Sequence, residues 1–326
     1  MDTIDYSVLI RTTGNAHEKY QRLLDSINTL QPAPKEVIVV LPVGYELPDE
    51  RLGYESFFFA PKGMVSQRLA GVEKCSTAYA LVCDDDVCFG PDFVQNLYRP
   101  LRDCLGAISA GPLYSFLPSG FSETLFDCIR GAACPTVWHR DRYASVLRTT
   151  GYSYNRHLKE SIPYYESQSV AGTCFFIDVA AFRSLHLEDE IWIDSHGYAA
   201  MEDQTMIYKA WLNNKKTIVV FAAKYEHLDA KTSRLNKNPN IAYSLRFNRY
   251  VFWRRFLYEQ QPNALLRIWT ALAFAYRLFW EAVYSVANVL RRRKTLEACR
   301  RHRNAWAEAR AFTRSEEYAR LPGVKE

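Results

Sequence analysis

The sequence predicts an α/β protein: a mostly parallel β-sheet flanked by helices, with an α-helical extension at its C-terminal end. Three observations carry this expectation. Residues 36–41 form a continuous β-branched run, the pattern of a parallel strand covered on both faces. Short apolar runs alternate with helix-spaced segments from residue 6 to about residue 104. From about residue 241 the chain reads as helix throughout. These patterns divide it into a body over 1–240 and a helical, basic region over 241–326.

The elements follow in order. Residues 6–10 read as a buried strand, broken by the loop Arg11-Thr-Thr-Gly-Asn15. Tyr20, Leu23, Leu24, Ile27 and Leu30 recur at helical spacing, and Pro32 and Pro34 stop that helix. Strand 36–41 comes next, then a short strand over 57–59, a helix over 64–74 and a strand over 79–83. Pro91 sits where a first helical turn tolerates proline, which predicts a helix to about residue 104. Residues 112–170 are irregular and are expected to form an insertion over the carboxyl edge of the sheet. A strand over 173–177, helices near 179–185 and 201–212, and a strand over 217–221 complete the body.

Composition excludes several classes. Apolar residues make up 48% and charged residues 24%, the balance of a globular chain and not of a disordered one. No run of 18 uncharged apolar residues predicts a membrane span, and the acidic start Met-Asp-Thr-Ile-Asp is not a signal-peptide pattern. The eight cysteines show no Cys-x-x-Cys pair and are expected as reduced, mostly buried thiols of a cytosolic protein. The net charge of +5 is unevenly spread. Residues 241–326 hold 17 Lys/Arg against 7 Asp/Glu, and residues 1–240 hold 24 against 29. An acidic body with a basic tail points to an anionic partner for the tail.

The chemistry-bearing residues lie in the body. Asp84-Asp85-Asp86 directly follows an apolar strand. Three adjacent carboxylates repel one another unless a cation offsets them. Hard oxygen ligands at the carboxyl end of a strand suit Mg²⁺ or Mn²⁺, which bind one or two carboxylates plus substrate phosphates. A solvated acidic turn is the plainer alternative. Glu202-Asp203 opens a helix, where acids also favour the macrodipole. His227, at the exit of a late strand, is a candidate third metal ligand.

Taken in order, these segments resemble an inverting family 2 glycosyltransferase of the GT-A fold, of the bacterial surface-polysaccharide type, over roughly residues 5–230. Ser7-Val-Leu-Ile-Arg-Thr-Thr-Gly14 looks like the first strand and nucleotide-binding loop. Pro61-Lys-Gly-Met-Val-Ser-Gln-Arg68 sits where the family approaches the nucleotide and pyrophosphate. Asp84-Asp85-Asp86 occupies the DxD position. Gly172-Thr173 resembles the acceptor-side turn, Glu202-Asp203 the catalytic acidic pair, and His227 the late metal-contacting histidine. Two departures stand out. Val39-Val-Leu-Pro42 lacks the base-reading Asp many members carry, and Arg11 replaces a common proline.

The resemblance implies sugar transfer from a nucleotide-sugar donor to a glycan or lipid-linked glycan acceptor, with Mn²⁺ or Mg²⁺ as cofactor. It implies donor binding by Thr12, Thr13, Gly14, Lys62, Gly63, Arg68, Asp84 and Asp85. The implied metal ligands are Asp86, Asp84 and His227, and the implied acceptor contacts are Gly172 and Thr173. Asp203 is the implied general base, with Glu202 beside it. Aromatic residues of the insertion (Trp138, His139, Tyr152, Tyr154, Tyr164, Tyr165) are candidates for stacking on sugar rings. Clustered carboxylates also suit a metal-dependent phosphoryl-transfer enzyme or nuclease, and a non-catalytic, membrane-associated scaffold is the third reading.

The tail adds a partner question. On a helical wheel over 263–290, Asn263, Arg267, Thr270, Arg277, Glu281, Ser285 and Asn288 share a stripe about 80° wide. The rest is apolar, and Arg291-Arg-Arg-Lys294 follows. Residues 263–294 are expected either to lie on an anionic membrane surface or to pack on the body or on a second copy, as a homodimer. No zinc-finger or RNP motif accompanies the basic residues, so nucleic acid is not expected. The expected location is cytoplasmic, peripheral at the inner face of the cytoplasmic membrane.

Overall fold

A computed structural model of the chain describes residues 4–113, 142–151, 153–155, 161–228, 239–291 and 295–325. Its centre is an eight-stranded, mostly parallel sheet ordered β3-β2-β1-β4-β10-β6-β11-β9. The strands are β1 (Tyr6–Arg11), β2 (Glu36–Pro42), β3 (Ser56–Ala60), β4 (Tyr79–Asp84), β6 (Ile108–Ala110), β9 (Tyr164–Ser167), β10 (Cys174–Asp178) and β11 (Thr217–Val220). Strand β10 runs antiparallel between β4 and β6, and β9 runs antiparallel on the β11 edge. Two smaller pairs stand apart: β5 (Val87–Phe89) with β12 (Tyr225–His227), and β7 (Ala144–Val146) with β8 (Ser153–Asn155).

The apolar strands bury both faces. Tyr6, Val8 and Ile10 of β1 face α1 (Glu18–Thr29) and α3 (Phe93–Arg102) in one core. Leu9 joins Ile38, Val40 and Phe175 in the other, under α2 (Met64–Lys74), α4 (Val179–Arg183) and α5 (Glu202–Leu212). Helix α3 begins at Phe93, two residues after Pro91. The aromatic-rich segment is more than an insertion: Tyr164–Ser167 is the edge strand of the central sheet. Tyr165 packs there against Phe221 and is buried, which removes it as a sugar-stacking residue. Trp138, His139 and Tyr152, and the Tyr154 side chain, lie outside the described residues. Cys75, Cys83 and Cys174 are buried thiols, Cys88 and Cys299 are partly covered, and Cys104 is exposed.

The helical region is not a detachable appendage. It comprises α6 (Pro239–Phe252), continued by π-helical turns over Trp253–Tyr258, then α7 (Ala264–Leu290), α8 (Leu296–Phe312) and α9 (Glu316–Ala319). Phe252, Phe256 and Leu257 share a buried cluster with Val65, Trp192, Ile193 and Tyr208 of the body. An ion cluster fastens the same joint. Glu190 of the 3-10 helix Leu187–Asp194 meets Lys209 of α5 and Arg255, and Arg255 also donates to the Pro322 carbonyl. Residues on both sides of position 240 therefore share one buried cluster.

Candidate active site

The crevice at the carboxyl ends of β1 and β4 is where an open α/β sheet binds ligands. Register brings Arg11 opposite Asp84. The start of the antiparallel β10 reaches the same edge, and Asp84 N–H donates to the Thr173 carbonyl at 2.8 Å. Pairing of β12 with β5 sets His227 against Val87, next to Asp86. A cleft of about 660 Å³ results. Its walls include Thr12, Thr13, Lys62, Gly63, Asp84, Asp85, Asp86, Gly172, Thr173, Glu202, Asp203 and His227. That size and depth are typical of a small-molecule site.

Two expected residues do not line it. Gly14 shapes the loop behind the wall. Its φ of 80° lies in the left-handed region, and an added Cβ would come 2.6 Å from the Glu46 carbonyl. Arg68 lies beneath the acidic pair, 4% exposed. It contacts Glu202, donates to the Gly172 carbonyl at 3.1 Å and covers the Phe175 ring. It supports the Gly172-Thr173 turn from behind and does not line the cleft.

The three aspartates have separate surroundings. Asp84 is engaged by Arg11, whose Nε and Nη2 reach its two oxygens at 2.5 and 3.1 Å. Both Asp84 oxygens, expected toward the donor and the metal, are thus shared with this bidentate guanidinium. Burial opposes the Arg11 charge, yet Asp84, and then Asp85 and Asp203, hold its guanidinium above the ordinary value. Its Nη1 is buried without a hydrogen bond, 3.8 Å from Glu202. Asp85 accepts from the Thr12 hydroxyl at 2.5 Å. Burial, and then its two acidic neighbours working against that hydrogen bond, push its pKa up to about 6.

Asp86 faces His227, with Oδ1 3.2 Å from Nε2. Among the described residues no three His, Cys, Asp or Glu side chains are arranged to hold a metal by themselves. Two protein ligands are nevertheless what Mg²⁺ or Mn²⁺ takes when substrate phosphates complete its shell. Asp86 and His227 thus fit such an ion.

Asp203 forms the opposite wall at the start of α5. Its carboxylate accepts from Gln204 N–H at 2.7 Å and from Gly172 N–H. Burial raises its pKa above the ordinary carboxylate value, against those two hydrogen bonds and the charges of Arg68 and Arg11. A Cβ on Gly172 would stand 2.9 Å from the Asp203 Cβ, so glycine is what lets this turn approach α5. Lys62 reaches over the Tyr45 ring at the cleft rim.

Several wall residues carried no sequence signal of their own. Gln67 ties the first loop to β2 through the Thr12 and Val40 carbonyls, at 3.2 and 2.9 Å. Asp194 accepts from Val65 N–H, Ser66 N–H and the Ser66 hydroxyl, satisfying the open N-terminus of α2 from 129 residues away. Gly63 must lack a side chain there, because a Cβ would overlap the Asp194 carboxylate. Ile241 and Leu245 of α6 also line the cleft. Asn248 fixes that helix to the Ile193 and Ala200 carbonyls at 3.1 and 2.8 Å. Arg11 stood out in the sequence as a departure from the common proline, but its pairing with Asp84 did not.

No protein-family model matches the chain. Over 166 residues it is 25% identical to an uncharacterized glycosyltransferase of Bacillus subtilis (strain 168), YwdF, covering 49% of this chain and 61% of that relative. The chain thus spans under two thirds of that protein's length. The fold is similar to that of S. aureus TarS residues 1–349, with a TM-score of 0.53, 13% identity, and coverage of 97% of this chain and 83% of that one. It is also similar to GalNAc-T7, solved with UDP, GalNAc and Mn²⁺, with a TM-score of 0.52, 12% identity, and coverage of 88% and 58%. The sheet order, the crevice at β1 and β4, and these likenesses agree: the chain has the GT-A fold of the glycosyltransferases.

Proposed function

We propose that the chain transfers a sugar from a nucleotide-sugar donor to a glycan or lipid-linked glycan acceptor, with inversion at the anomeric carbon. The observation that carries this reading is one cleft walled on one side by Asp85, Asp86 and His227 and on the other by Asp203. Donor chemistry needs cationic and hydrogen-bonding groups for a diphosphate, and acceptor chemistry needs a base across from it.

In this reading Thr12, Thr13 and Lys62 contact the nucleoside diphosphate, and Asp85, buttressed by Thr12, accepts from its ribose. Asp86 and His227 would hold a divalent ion, whose chemistry is Lewis-acid stabilisation of the leaving diphosphate. Gly172 and Thr173 border the acceptor hydroxyl. Asp203 accepts that hydroxyl's proton as the oxygen attacks the anomeric carbon. The bond to the diphosphate oxygen breaks on the opposite face. One displacement without a covalent intermediate inverts the configuration. Burial makes Asp203 a stronger base than a solvated Asp, and general-base help is worth about 10²–10⁴ in rate.

The test is a thermal-shift screen of nucleotide sugars with and without Mn²⁺. A ligand that binds the folded state must raise Tm by mass action, by about 2.7 kcal/mol of stability at a hundredfold excess over Kd. A donor-specific rise that grows with Mn²⁺ supports the reading. No rise with any nucleotide sugar contradicts it.

A further inference from the structure

Helix α7 has its polarity reversed. Soluble proteins turn the apolar stripe of a surface helix toward the core. Here Thr270, Ala273, Phe274 and Arg277 are the buried positions. Arg277 and Arg249 converge on Glu281 at 3.5 and 2.6 Å, and Arg246 stands 3.7 Å away. Burial opposes the Glu281 charge, but Arg249, and then Arg246 and Arg277, hold its pKa below the ordinary value. Thr270, Arg277 and Glu281 of the polar stripe are thus turned inward, whereas Asn263 and Arg267 at its start are exposed. The opposite arc of the wheel, about 100° wide, points outward and contains no charged residue. Leu265 is 79% exposed, Leu272 60%, Phe279 59% and Leu290 80%. Over 27 residues this stripe runs about 40 Å at 1.5 Å per residue.

A groove of about 610 Å³ opens beside it, between α7 and α8. Leu278, Val289 and Trp306 line its floor, and Arg303 and Arg310 stand at its rim. Val286 and Leu290 belong to both groove and stripe, so the two surfaces are continuous. Among the described residues neither rim arginine has a carboxylate partner, whereas the groove's one anion, Glu281, is surrounded by three arginines.

We propose that α7 and the α7–α8 groove dock the protein on an anionic lipid bilayer, the stripe entering the acyl boundary and Arg303 and Arg310 meeting lipid phosphates. Arg310 lies over the Tyr250 ring, and both rim arginines are exposed. An apolar stripe edged by arginines whose charge no carboxylate among the described residues offsets complements an interface of acyl chains under anionic headgroups. A second copy packed on this surface would set its arginine rim against an identical one. Among the described residues no helix is long and apolar enough to cross a membrane, so α7 lies in the interface plane. The proposal is independent of the transfer chemistry, because its readout needs no substrate.

The test uses the full chain, with co-sedimentation on vesicles of phosphatidylglycerol or of phosphatidylcholine, and light scattering in solution. The wild-type protein is expected on phosphatidylglycerol vesicles, with affinity on the order of tenfold weaker for phosphatidylcholine. The pair Trp269→Gln with Phe279→Gln removes exposed stripe residues. The pair Arg303→Glu with Arg310→Glu reverses the rim. Each pair should weaken phosphatidylglycerol binding by about tenfold or more and leave Tm unchanged. Wild-type protein that stays off phosphatidylglycerol vesicles overturns the proposal, as does equal binding by both variants. A stable dimer that the stripe variant converts to monomer, with no vesicle binding, assigns the surface to a second copy instead.

Discussion

Replacing Glu190 by alanine should loosen the joint between the helical region and the cleft. Glu190 is 1% exposed. It accepts from Trp192 Nε1 at 2.7 Å, Lys209 Nζ at 3.0 Å, and Arg255 Nε and Nη2 at 2.9 and 3.0 Å. Without it, two buried cations and one indole N–H lose their shared acceptor. Asp189, 3.6 Å from Lys209, compensates one of them in part. Removing one partner of a buried ion pair costs about 3–5 kcal/mol. At about 2–4 °C per kcal/mol for a chain of this order of size, Tm should fall by roughly 10 °C. Glu190→Gln keeps an acceptor oxygen and should fall between wild type and alanine. The assay is thermal unfolding of the full chain at neutral pH, followed by circular dichroism. A loss below about 1 kcal/mol, the value of a solvated surface pair, would refute both the burial of this cluster and the claim that body and helical region share one core.

Three further outcomes follow from the cleft. Asp86→Ala and His227→Ala should each weaken Mn²⁺-dependent donor binding in titration calorimetry and leave metal-free binding unchanged; equal wild-type donor affinity with and without Mn²⁺ contradicts the ligand assignment. Gly172→Ala should lower transfer more than it lowers Tm, because the added methyl meets the Asp203 Cβ at 2.9 Å; unchanged kcat shows that the turn yields. Asp203 has a raised folded-state pKa, so transfer should fall with acidification above the pH at which an ordinary Asp titrates. The stability sign is the reverse of a salt-bridged carboxylate. Its favourable contribution is present below the unfolded pKa and lost as pH rises through the folded one. Ionised Asp203 therefore weakens the fold at neutral pH, and Asp203→Asn should match or exceed wild-type Tm there. A Tm well below wild type contradicts the burial argument.

The central strands were legible because both of their faces are buried. Such strands read as unbroken β-branched runs, and residues 36–41 found their place in β2 without ambiguity. The Asp84–Asp86 triplet was legible because it follows a strand end at the sheet's carboxyl edge, whereas Glu202-Asp203 opens a helix and stood out only through the resemblance. What escaped depends on contacts across long separations. Strand β9 is four residues at an edge, too short to show a period. The Arg11–Asp84 pair needs the β1–β4 register. Asp194 caps a helix far from it in sequence, where α2 has only Gly63 at its N-cap. Helix α7 teaches a different point. Its wheel correctly separated two faces, but periodicity does not say which face turns inward. Here Glu281 meets three arginines on the inner side, with Thr270 and Arg277 buried beside Ala273 and Phe274, and apolar residues such as Leu272 and Phe279 stay outside. The continuation of its basic cluster, residues 292–294, lies outside the described residues.

The role of Asp203 is tested by comparing wild type with Asp203→Asn in two assays on the same preparation: donor binding by calorimetry and sugar transfer to acceptor. Donor affinity is expected to stay within about a factor of two and transfer to fall by about 10²–10⁴, with the product of wild-type transfer inverted at the anomeric carbon. Transfer undiminished in Asp203→Asn, or a product that retains the donor configuration, contradicts that role.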